Sequence, residues 1–296
     1  MNTLTTVNYK LLKKIKDDKF DVDDLHHYKL SMQIGTHDFQ LIIVDSRKNK
    51  ILLLEDYILA SSKTYKELTN KLGDLFNNHH LLKAGFWKAI KVSFKNNKFS
   101  LVPAPLFSKD SLYDYLRVNA RINPQTDELQ YYKHIQCDAV NVFSVNKSLY
   151  NWLETMYKQT RISYLHQASG LIEGVMSQLK HYEDNNIFLY IDRFKLHIIT
   201  TRNKKLEYYN QFAIKQFSDY IKYIMTVMKE LGHHQKTTPV ILWGYIGKQS
   251  PHFQEFSKYI KNLSFGQRPD FLKFRYFFDE VQDHHYFDLY SLNHCD

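Results

Sequence analysis

The chain has 296 residues, 44% of them hydrophobic, and a formal net charge of +9. This length and apolar content suffice to bury a sizeable core, which excludes a disordered chain. The two cysteines, Cys137 and Cys295, exclude a disulfide framework and a zinc ribbon, so we expect a cytoplasmic protein. No apolar run approaches the roughly 20 residues that cross a bilayer, so we expect no membrane insertion.

Three strand-like runs occupy residues 28–59: YKLSMQIG, DFQLIIVDS and KILLLEDYIL. Branched and aromatic residues fill each run and short polar turns separate them, which predicts an antiparallel meander. A helix follows, with Thr64 and Glu67 as a capping box. Residues 1–27 precede the meander as an N-terminal extension, in which residues 10–20 suit either an amphipathic helix or a solvated basic tail.

The first half continues with further strands and helices. KAIKVSF and KFSLVPAPLF flank an Asn96-Asn97 turn, and two more strands are predicted near residues 128–135 and 138–145. Helices are predicted from Asn146 onwards and across residues 166–181. This alternation of strands and helices indicates an α/β protein.

The second half repeats this pattern. FKLHIITTRNKKLEYYNQF aligns with FQLIIVDSRKNKILLLEDYI when Phe39 is placed over Phe194, an offset of 155 residues, with one residue fewer in the second turn. A helix over residues 217–231, a buried parallel strand TTPVILWG and a helix after Ser250-Pro251 follow. We therefore expect a duplicated domain, with a first lobe over residues 28–160 and a second over 161–296.

A meander, a crossover helix and alternating strands, present twice, resemble the superfamily of actin, hexokinase and the heat-shock chaperone ATPases. LVPAPLF, DAVNVF, YYNQF, WGYIG and the closing FDLYSLNHC resemble, more narrowly, an uncharacterised family of bacterial proteins, a domain of unknown function with the actin-like fold. The resemblance implies duplicated ribonuclease H-like domains, with mixed sheets flanked by helices and two lobes around a central cleft. It also implies a comparison with the superfamily's pilus-assembly and cell-division scaffolds.

The resemblance also implies where a nucleotide would bind, because actin-like ATPases hold phosphate at the first turn of each meander. Gly35 and Thr36 match the Asp-x-Gly-Thr/Ser turn, but Gln33 replaces its aspartate. A neutral amide contributes no full negative charge to Mg²⁺, which prefers anionic oxygen ligands. We therefore expect metal-assisted hydrolysis to lose an anchor at this turn.

The other two nucleotide elements also depart from the superfamily pattern. The second turn, YIDRF, keeps Asp192 but has no glycine. Gly244 and Gly247 stand where a strand meets a helix, as the superfamily's nucleoside motif does, but bulky residues separate them. The candidate cofactor-binding residues are thus Gly35, Thr36, Asp192, Gly244 and Gly247, and their alternative role is turn geometry.

Other constellations give no catalytic or metal-ligating residues. Four histidine pairs lack cysteine partners and H-x-x-x-H spacing, and neighbouring side chains point apart on strands and helices, so we expect exposed loops and no metal site. No nucleophile elbow, P-loop or zincin motif is present. His166 and His197 lie in apolar segments and are expected to be interior residues.

Three functional hypotheses follow. The first is a non-hydrolytic, degenerate actin-like ATPase that acts as a scaffold, with a protein partner or a second copy of itself and with no cofactor. The second is an ATPase or kinase-like enzyme that still binds ATP and Mg²⁺ through altered loops. The third is a nucleic-acid-associated protein, because lysines and aromatic residues alternate along the chain, although core packing is the favoured use of those aromatics.

Overall fold

The computed structural model describes residues 8–193 and 195–295. Contacts divide the chain into two compact units. The first unit runs to Gly170 and also includes Phe271–Asp279 and the residues from Leu292; the second comprises Leu171–Asp270 and Glu280–Ser291. The boundary therefore falls after Gly170, whereas the sequence places it at residues 160 and 161. The cleft expected between two lobes stays a prediction.

The first unit contains two sheets, three α-helices and the first turn of a fourth, α4, whose remaining residues belong to the second unit. Its strands and helices are β1 (Tyr9–Lys16), β2 (Tyr28–Ile34), β3 (Asp38–Asp45), β4 (Lys50–Leu59), α1 (Tyr65–Asn78), β5 (Ala89–Phe94), β6 (Phe99–Pro103), α2 (Leu112–Arg117), β7 (Asp127–Lys133), β8 (Ala139–Asn146), α3 (Lys147–Met156), β9 (Ile162–His166) and α4 (Gln167–Gln178). The larger sheet has the order β1-β4-β3-β2-β5-β9, and the smaller has the order β6-β8-β7.

The predicted meander is confirmed as β2, β3 and β4, which pair antiparallel in that order. Nearly every residue of these strands is buried, as expected for apolar runs covered on both faces. The side chain of Thr64 accepts a hydrogen bond from the Glu67 backbone at the start of α1, so the predicted capping residue is confirmed.

Residues 10–20 of the N-terminal extension form neither the helix nor the tail that the sequence allows. Residues Tyr9–Lys16 form β1, which pairs antiparallel with β4 and supplies the edge of the larger sheet. The prediction failed because lysine-rich edge strands lack the apolar alternation of inner strands. Residues 1–7 lie outside the described part of the chain.

The predicted pairing around Asn96-Asn97 is wrong, although both strands exist. β5 pairs in parallel with β2 and β9 in the larger sheet, whereas β6 pairs with β8 in the smaller one. Two asparagines between strand-like runs are also typical of a hairpin, so the local pattern could not distinguish a turn from a passage between sheets. The sequence prediction also missed β9, which lies just before the helix expected over 166–181.

The second unit has one sheet, in the order β12-β11-β10-β13-β14. Its elements are β10 (Asn186–Ile191), β11 (Lys195–Arg202), β12 (Lys205–Ala213), α5 (Phe217–Glu230), β13 (Val240–Gly244), α6 (Pro251–Tyr259), β14 (Leu263–Phe265) and α7 (Phe287–Ser291). The predicted parallel strand is β13, beside β10, and Ser250 caps α6 as predicted. Apolar side chains of β10, β11, β13, α5 and α6 form its core.

The two larger sheets share one strand pattern. The order β4-β3-β2-β5-β9 in the first unit corresponds to β12-β11-β10-β13-β14 in the second, with antiparallel pairs followed by parallel pairs. β1 has no counterpart among the described residues of the second unit. None of the described helices is long and apolar enough to span a bilayer.

The alignment of the two halves needs a correction of two residues before the second turn and of one residue after it. Ile34 pairs with Phe39 and Ile191 with Leu196, so equivalent positions at the first turn lie 157 residues apart. Asp45 pairs with Lys50 and Arg202 with Lys205, so the offset falls to 155 after the second turn, which is two residues shorter in the second half. Phe194 itself lies outside the described residues.

Candidate functional site

The first phosphate-type turn joins β2 to β3 and closes on itself. The Gly35 N–H donates to the Asp38 carbonyl at 2.9 Å, so this N–H is committed to the hairpin. The neighbouring Thr36 is exposed, and its Oγ1 shares a hydrogen bond of 2.9 Å with His37 Nδ1. Gly35 and Thr36 therefore form a tight turn, as predicted, but one whose glycine amide points back into the protein.

A buried ion pair fills the inner side of this turn. Lys95 Nζ lies 2.7 Å from Asp38 Oδ2, and each side chain is only 4% exposed. A Cβ atom placed on Gly35 would come within 2.0 Å of Asp38 Oδ1. Glycine is thus favoured here by the approach of the protein's own carboxylate, a negative group that would repel a phosphate.

The ion pair extends into a chain of buried polar side chains. Lys95 Nζ also donates to Gln40 Oε1 at 3.3 Å, and Gln40 Nε2 donates to Asp56 Oδ1 at 3.1 Å. Gln33, at the position of the superfamily's aspartate, is fully buried beside this chain. Neither amide atom of Gln33 has a hydrogen-bond partner among the described residues. Lys95 thus supplies the positive charge in this polar chain.

A small pocket opens beside the first turn. It encloses about 290 Å³, including the part open to solvent. Its lining residues come from the C-terminal ends of β2, β5 and β8, from the segments that follow β2 and β5, and from the starts of α1 and α3: Ile34, Gly35, Thr36, Tyr65, Leu68, Phe94, Lys95, Asn96, Val145, Asn146 and Leu149.

The second turn, after β10, is filled by side chains, as predicted. The Asp192 N–H donates to the Lys195 carbonyl at 2.9 Å, the same closure as at Gly35, so Asp192 stands at the glycine position. Asp192 is buried, and its Oδ1 accepts the Arg193 N–H at 2.8 Å. The Arg193 guanidinium packs on the Tyr245 ring, 4.5 Å from its centroid.

Gly244 ends β13 and lies directly beside this turn. Its φ is +101°, and a Cβ atom would come within 2.1 Å of the Ile191 carbonyl oxygen, so only glycine fits. The Tyr245 N–H donates to that same carbonyl at 2.8 Å. Gly247 lies further along the loop before α6, where its nearest neighbour would be Ser250 Cβ at 3.9 Å. The structure thus brings Asp192 and Gly244 together and leaves Gly247 in an open turn.

These residues do not fit Mg²⁺ and ATP. The first turn holds an internal cation and its carboxylate, Gln33 is neutral, and the second turn presents Asp192 and Arg193 instead of glycine amides. The Ile246 side chain is buried in the second unit's core, which fills part of the loop between Gly244 and Gly247. Side chains therefore pack at both turns within their own units, and the loss of nucleotide binding stays a prediction.

A buried carboxylate cluster on β4 had no signal in the sequence. Glu55 is fully buried and accepts hydrogen bonds from Tyr57 at 2.6 Å and His79 Nε2 at 2.7 Å, while Lys14 Nζ lies 2.8 Å away. Burial raises the pKa of Glu55, but these hydrogen bonds outweigh it and lower the pKa to about 2. The Leu81 and Leu82 N–H groups donate to His79 Nδ1, which assigns the proton of a neutral ring to Nε2.

The second unit has its own buried polar cluster. The Tyr190 hydroxyl donates to Asp288, and His197 Nδ1 shares a hydrogen bond of 2.8 Å with the Tyr209 hydroxyl. Burial raises the pKa of Tyr190 and Tyr209, and the Asp288 charge adds to both effects. His197 is fully buried, as is His166, whose Nε2 donates to the Asn96 carbonyl. Both histidines are interior residues, as predicted.

Two of the four histidine pairs differ from the exposed loops expected for them, whereas His79-His80 and His233-His234 lie in loops, with His80 and His234 exposed. His284 is fully buried, and its Nε2 donates to the Ile246 carbonyl at 2.6 Å. His26 and His27 close a short 3-10 helix, and their ring centroids lie only 3.9 Å apart. The rings of this neighbouring pair pack together, although the sequence predicts diverging side chains.

The exposed aromatic side chains do not support a stacking platform. Those that are exposed belong to five separate segments: Tyr65, Phe86, Tyr113, Tyr259 and Tyr276. Single-strand binders instead place aromatics together on a basic face. Core packing is therefore the main use of the aromatic residues, as predicted.

Solved structures place this fold among the actin-like ATPases. A protein of unknown function from Bacteroides thetaiotaomicron VPI-5482, with an actin-like ATPase fold, matches with a TM-score of 0.78 at 20% identity, over 94% of this chain and 99% of that one. A chain of the PilM–PilN type IV pilus biogenesis complex matches with a TM-score of 0.58 at 10% identity, over 90% of this chain and 98% of that one.

The family follows from the sequence itself. The model described as "Protein of unknown function (DUF3822)" matches residues 17–263, so the chain belongs to that family. The resemblance to a domain of unknown function with the actin-like fold is confirmed. No curated protein matches the sequence.

Proposed function

We propose that this chain is an actin-fold protein that does not hydrolyse ATP and acts as a scaffold for other proteins. The observation that carries this proposal is the buried Lys95–Asp38 ion pair beneath Gly35. Actin-like ATPases direct backbone N–H groups of this turn at phosphate. Here the Gly35 N–H donates to the Asp38 carbonyl, and the Asp38 side chain occupies the space behind the glycine. The same strand order in both units supports descent from a duplicated domain.

The scaffold role is supported by the fold neighbour from the PilM–PilN complex, in which an actin-fold chain of similar length works in an assembly of proteins. We extend this role to the present chain as a partner protein or a second copy of itself, acting in the cytoplasm. Sedimentation velocity over a hundredfold concentration range separates these two options. A concentration-dependent mass favours self-association, and a constant monomer mass favours a different partner.

A ligand that binds only the folded state must raise the melting temperature. We therefore expect millimolar ATP or ADP, with Mg²⁺, to leave the melting temperature of the intact chain unchanged. The matched sample contains Mg²⁺ and sulfate at equal ionic strength, since salt alone changes stability. A nucleotide-specific rise would contradict the proposal.

A second candidate is a nucleotide-binding enzyme with altered loops. The unpartnered amide of Gln33 and the pocket beside Gly35 and Thr36 favour it, because buried polar groups are normally paired. It predicts phosphate release from ATP that Thr36→Arg abolishes and Thr36→Ser preserves. Equal background release by all three proteins would remove this candidate.

A further inference from the structure

The connection from β1 to β2 is a 3-10 helix, Val22–His27, that gathers one carboxylate and two imidazoles. A 3-10 helix has three residues per turn, so Asp24 and His27 lie above one another on the same side. His26 is the residue before the end of the helix, and its ring packs against that of His27, with centroids 3.9 Å apart. The carboxylate of Asp24 and the two imidazole rings therefore lie close together at the end of this helix.

The potential ligand atoms of these three residues form a compact set. One carboxylate oxygen of Asp24 and one ring nitrogen of each histidine all lie within 4.8 Å of one another. Zinc binds histidine nitrogen and carboxylate oxygen at about 2.0–2.2 Å, so small side-chain rotations bring all three atoms to one ion. His26 is exposed and Asp24 and His27 are half-buried, which leaves room for such rotations and for water as further ligands.

Arg47 orients the carboxylate. Its Nη2 lies 2.9 Å from Asp24 Oδ2, and its Nε donates to Asp45 Oδ1 at 3.1 Å. The ion pair holds one oxygen of Asp24 and not Oδ1, which resembles the outer-shell contacts that orient ligands in metal sites. The guanidinium lies between two carboxylates, so these three groups together carry one net negative charge, which favours a cation.

We propose that Asp24, His26 and His27 bind a divalent transition-metal ion of the Zn²⁺, Ni²⁺ or Cu²⁺ class. Imidazole ligands select these ions over Mg²⁺ and Ca²⁺, which prefer oxygen alone. The bound ion connects two segments of the chain. The linker between β1 and β2 supplies the ligands, and the turn after β3 supplies Arg47, which contacts Asp24. This site is separate from the first phosphate-type turn and does not depend on the proposed scaffold role.

The test is calorimetric titration of Zn²⁺ into the intact chain without an affinity tag. We expect one saturable site whose affinity falls by about tenfold or more in His26→Ala, His27→Ala and Asp24→Asn, because each removes one ligand. The matched control is His80→Ala: His80 is exposed and stacks on a neighbouring histidine, 5.2 Å away, but belongs to no ligand set of this kind among the described residues.

Circular dichroism of each variant shows whether the fold is retained, and exposed substitutions at position 26 leave it intact. Wild-type affinity in both His26→Ala and His27→Ala would overturn the proposal, since the ion would then bind elsewhere among the chain's histidines. The absence of saturable Zn²⁺ binding by the unaltered chain would overturn it as well. Equal losses in His80→Ala and His26→Ala would do the same.

Discussion

The two meander turns are closed by the same backbone hydrogen bond, but different side chains pack against them. In the first unit, Gly35 donates to Asp38, and the Lys95–Asp38 pair packs behind the glycine. In the second unit, Asp192 donates to Lys195, and Arg193 packs on Tyr245. The required glycine of the second unit is instead Gly244, on the neighbouring strand, where the Ile191 backbone leaves no room for a side chain.

This difference teaches that the fold keeps its turns without a phosphate to organise them. An ion pair packs against the turn of the first unit, and a backbone contact packs against the turn of the second unit. The obstacle at Gly35 is the end of a side chain, which can rotate, whereas the obstacle at Gly244 is main chain, which cannot. The two units should therefore respond differently to matched substitutions.

The largest effect is expected from Gly244→Ala. A residue with Cβ at φ +101° is strained, and its Cβ would overlap the Ile191 carbonyl, so we expect a loss of more than about 4 kcal/mol in the free energy of unfolding. Gly247→Ala is the control, and its loss should stay below about 1 kcal/mol because its surroundings are open. Urea denaturation measures both, and equal losses would refute the assignment.

Lys95→Met should follow, since it leaves the buried carboxylate of Asp38 without its cation. Breaking a buried pair by removing one partner costs about 3–5 kcal/mol. Lys258→Met removes an exposed pair with Glu255 and should cost at most about 1 kcal/mol. If chemical denaturation gave similar values for both variants, the Lys95 ion pair would be no more important than a surface contact.

Acid should weaken the first unit through Glu55. The pKa of Glu55 is lowered to about 2 in the folded state, so its stabilisation is present above the unfolded pKa and is lost as the pH falls from about 4.5 towards 2. The difference between the unfolded and folded pKa values of Glu55 corresponds to about 3 kcal/mol in the free energy of unfolding. Denaturation at pH 6, 4 and 3 measures the slope. Glu55→Gln, although less stable at pH 6, should lack this part of the slope.

Gly35→Ala should cost less than Gly244→Ala, about 2 kcal/mol, because Asp38 can rotate away at the expense of its ion pair. Gly73→Ala is the opposite control. Gly73 lies inside α1 with nothing within 4 Å of its Cβ position, so helix propensity should add about 0.5–1 kcal/mol of stability. A loss at Gly35 equal to that at Gly244 would show that Asp38 is as rigid as main chain.

Local patterns predicted much of the fold. The meander, the caps at Thr64 and Ser250 and the strand β13 follow from periodicity and capping chemistry, which act over a few residues. In β3 and β11, the alignment error of two residues did not change which face each side chain occupies, because strand side chains repeat every two residues. After the second turn the error is one residue, which exchanges the two faces. β1 and the partner of β6 depend on pairing between distant segments, and no short pattern reports that pairing.

The candidate site also depends on contacts between distant residues, which no short pattern reports. Gly35 and Gly244 stand out in the sequence because glycine is informative in a turn, but their neighbours do not. Lys95 and Asp38 are 57 residues apart in sequence, and nothing local distinguishes Lys95 from the exposed lysines. The ligand set at Asp24 was missed because it lies at the end of a segment for which the sequence left both a helix and a tail open.

A double-mutant cycle of Lys95→Met and Asp38→Asn tests the central claim, that an internal ion pair fills the first turn. The cycle compares the free energies of unfolding of the unaltered chain, both single variants and the double variant, all by urea denaturation. We predict a coupling energy of about 2 kcal/mol or more, with the double variant more stable than the sum of the single losses implies. Additive losses, with coupling near zero, would contradict the account.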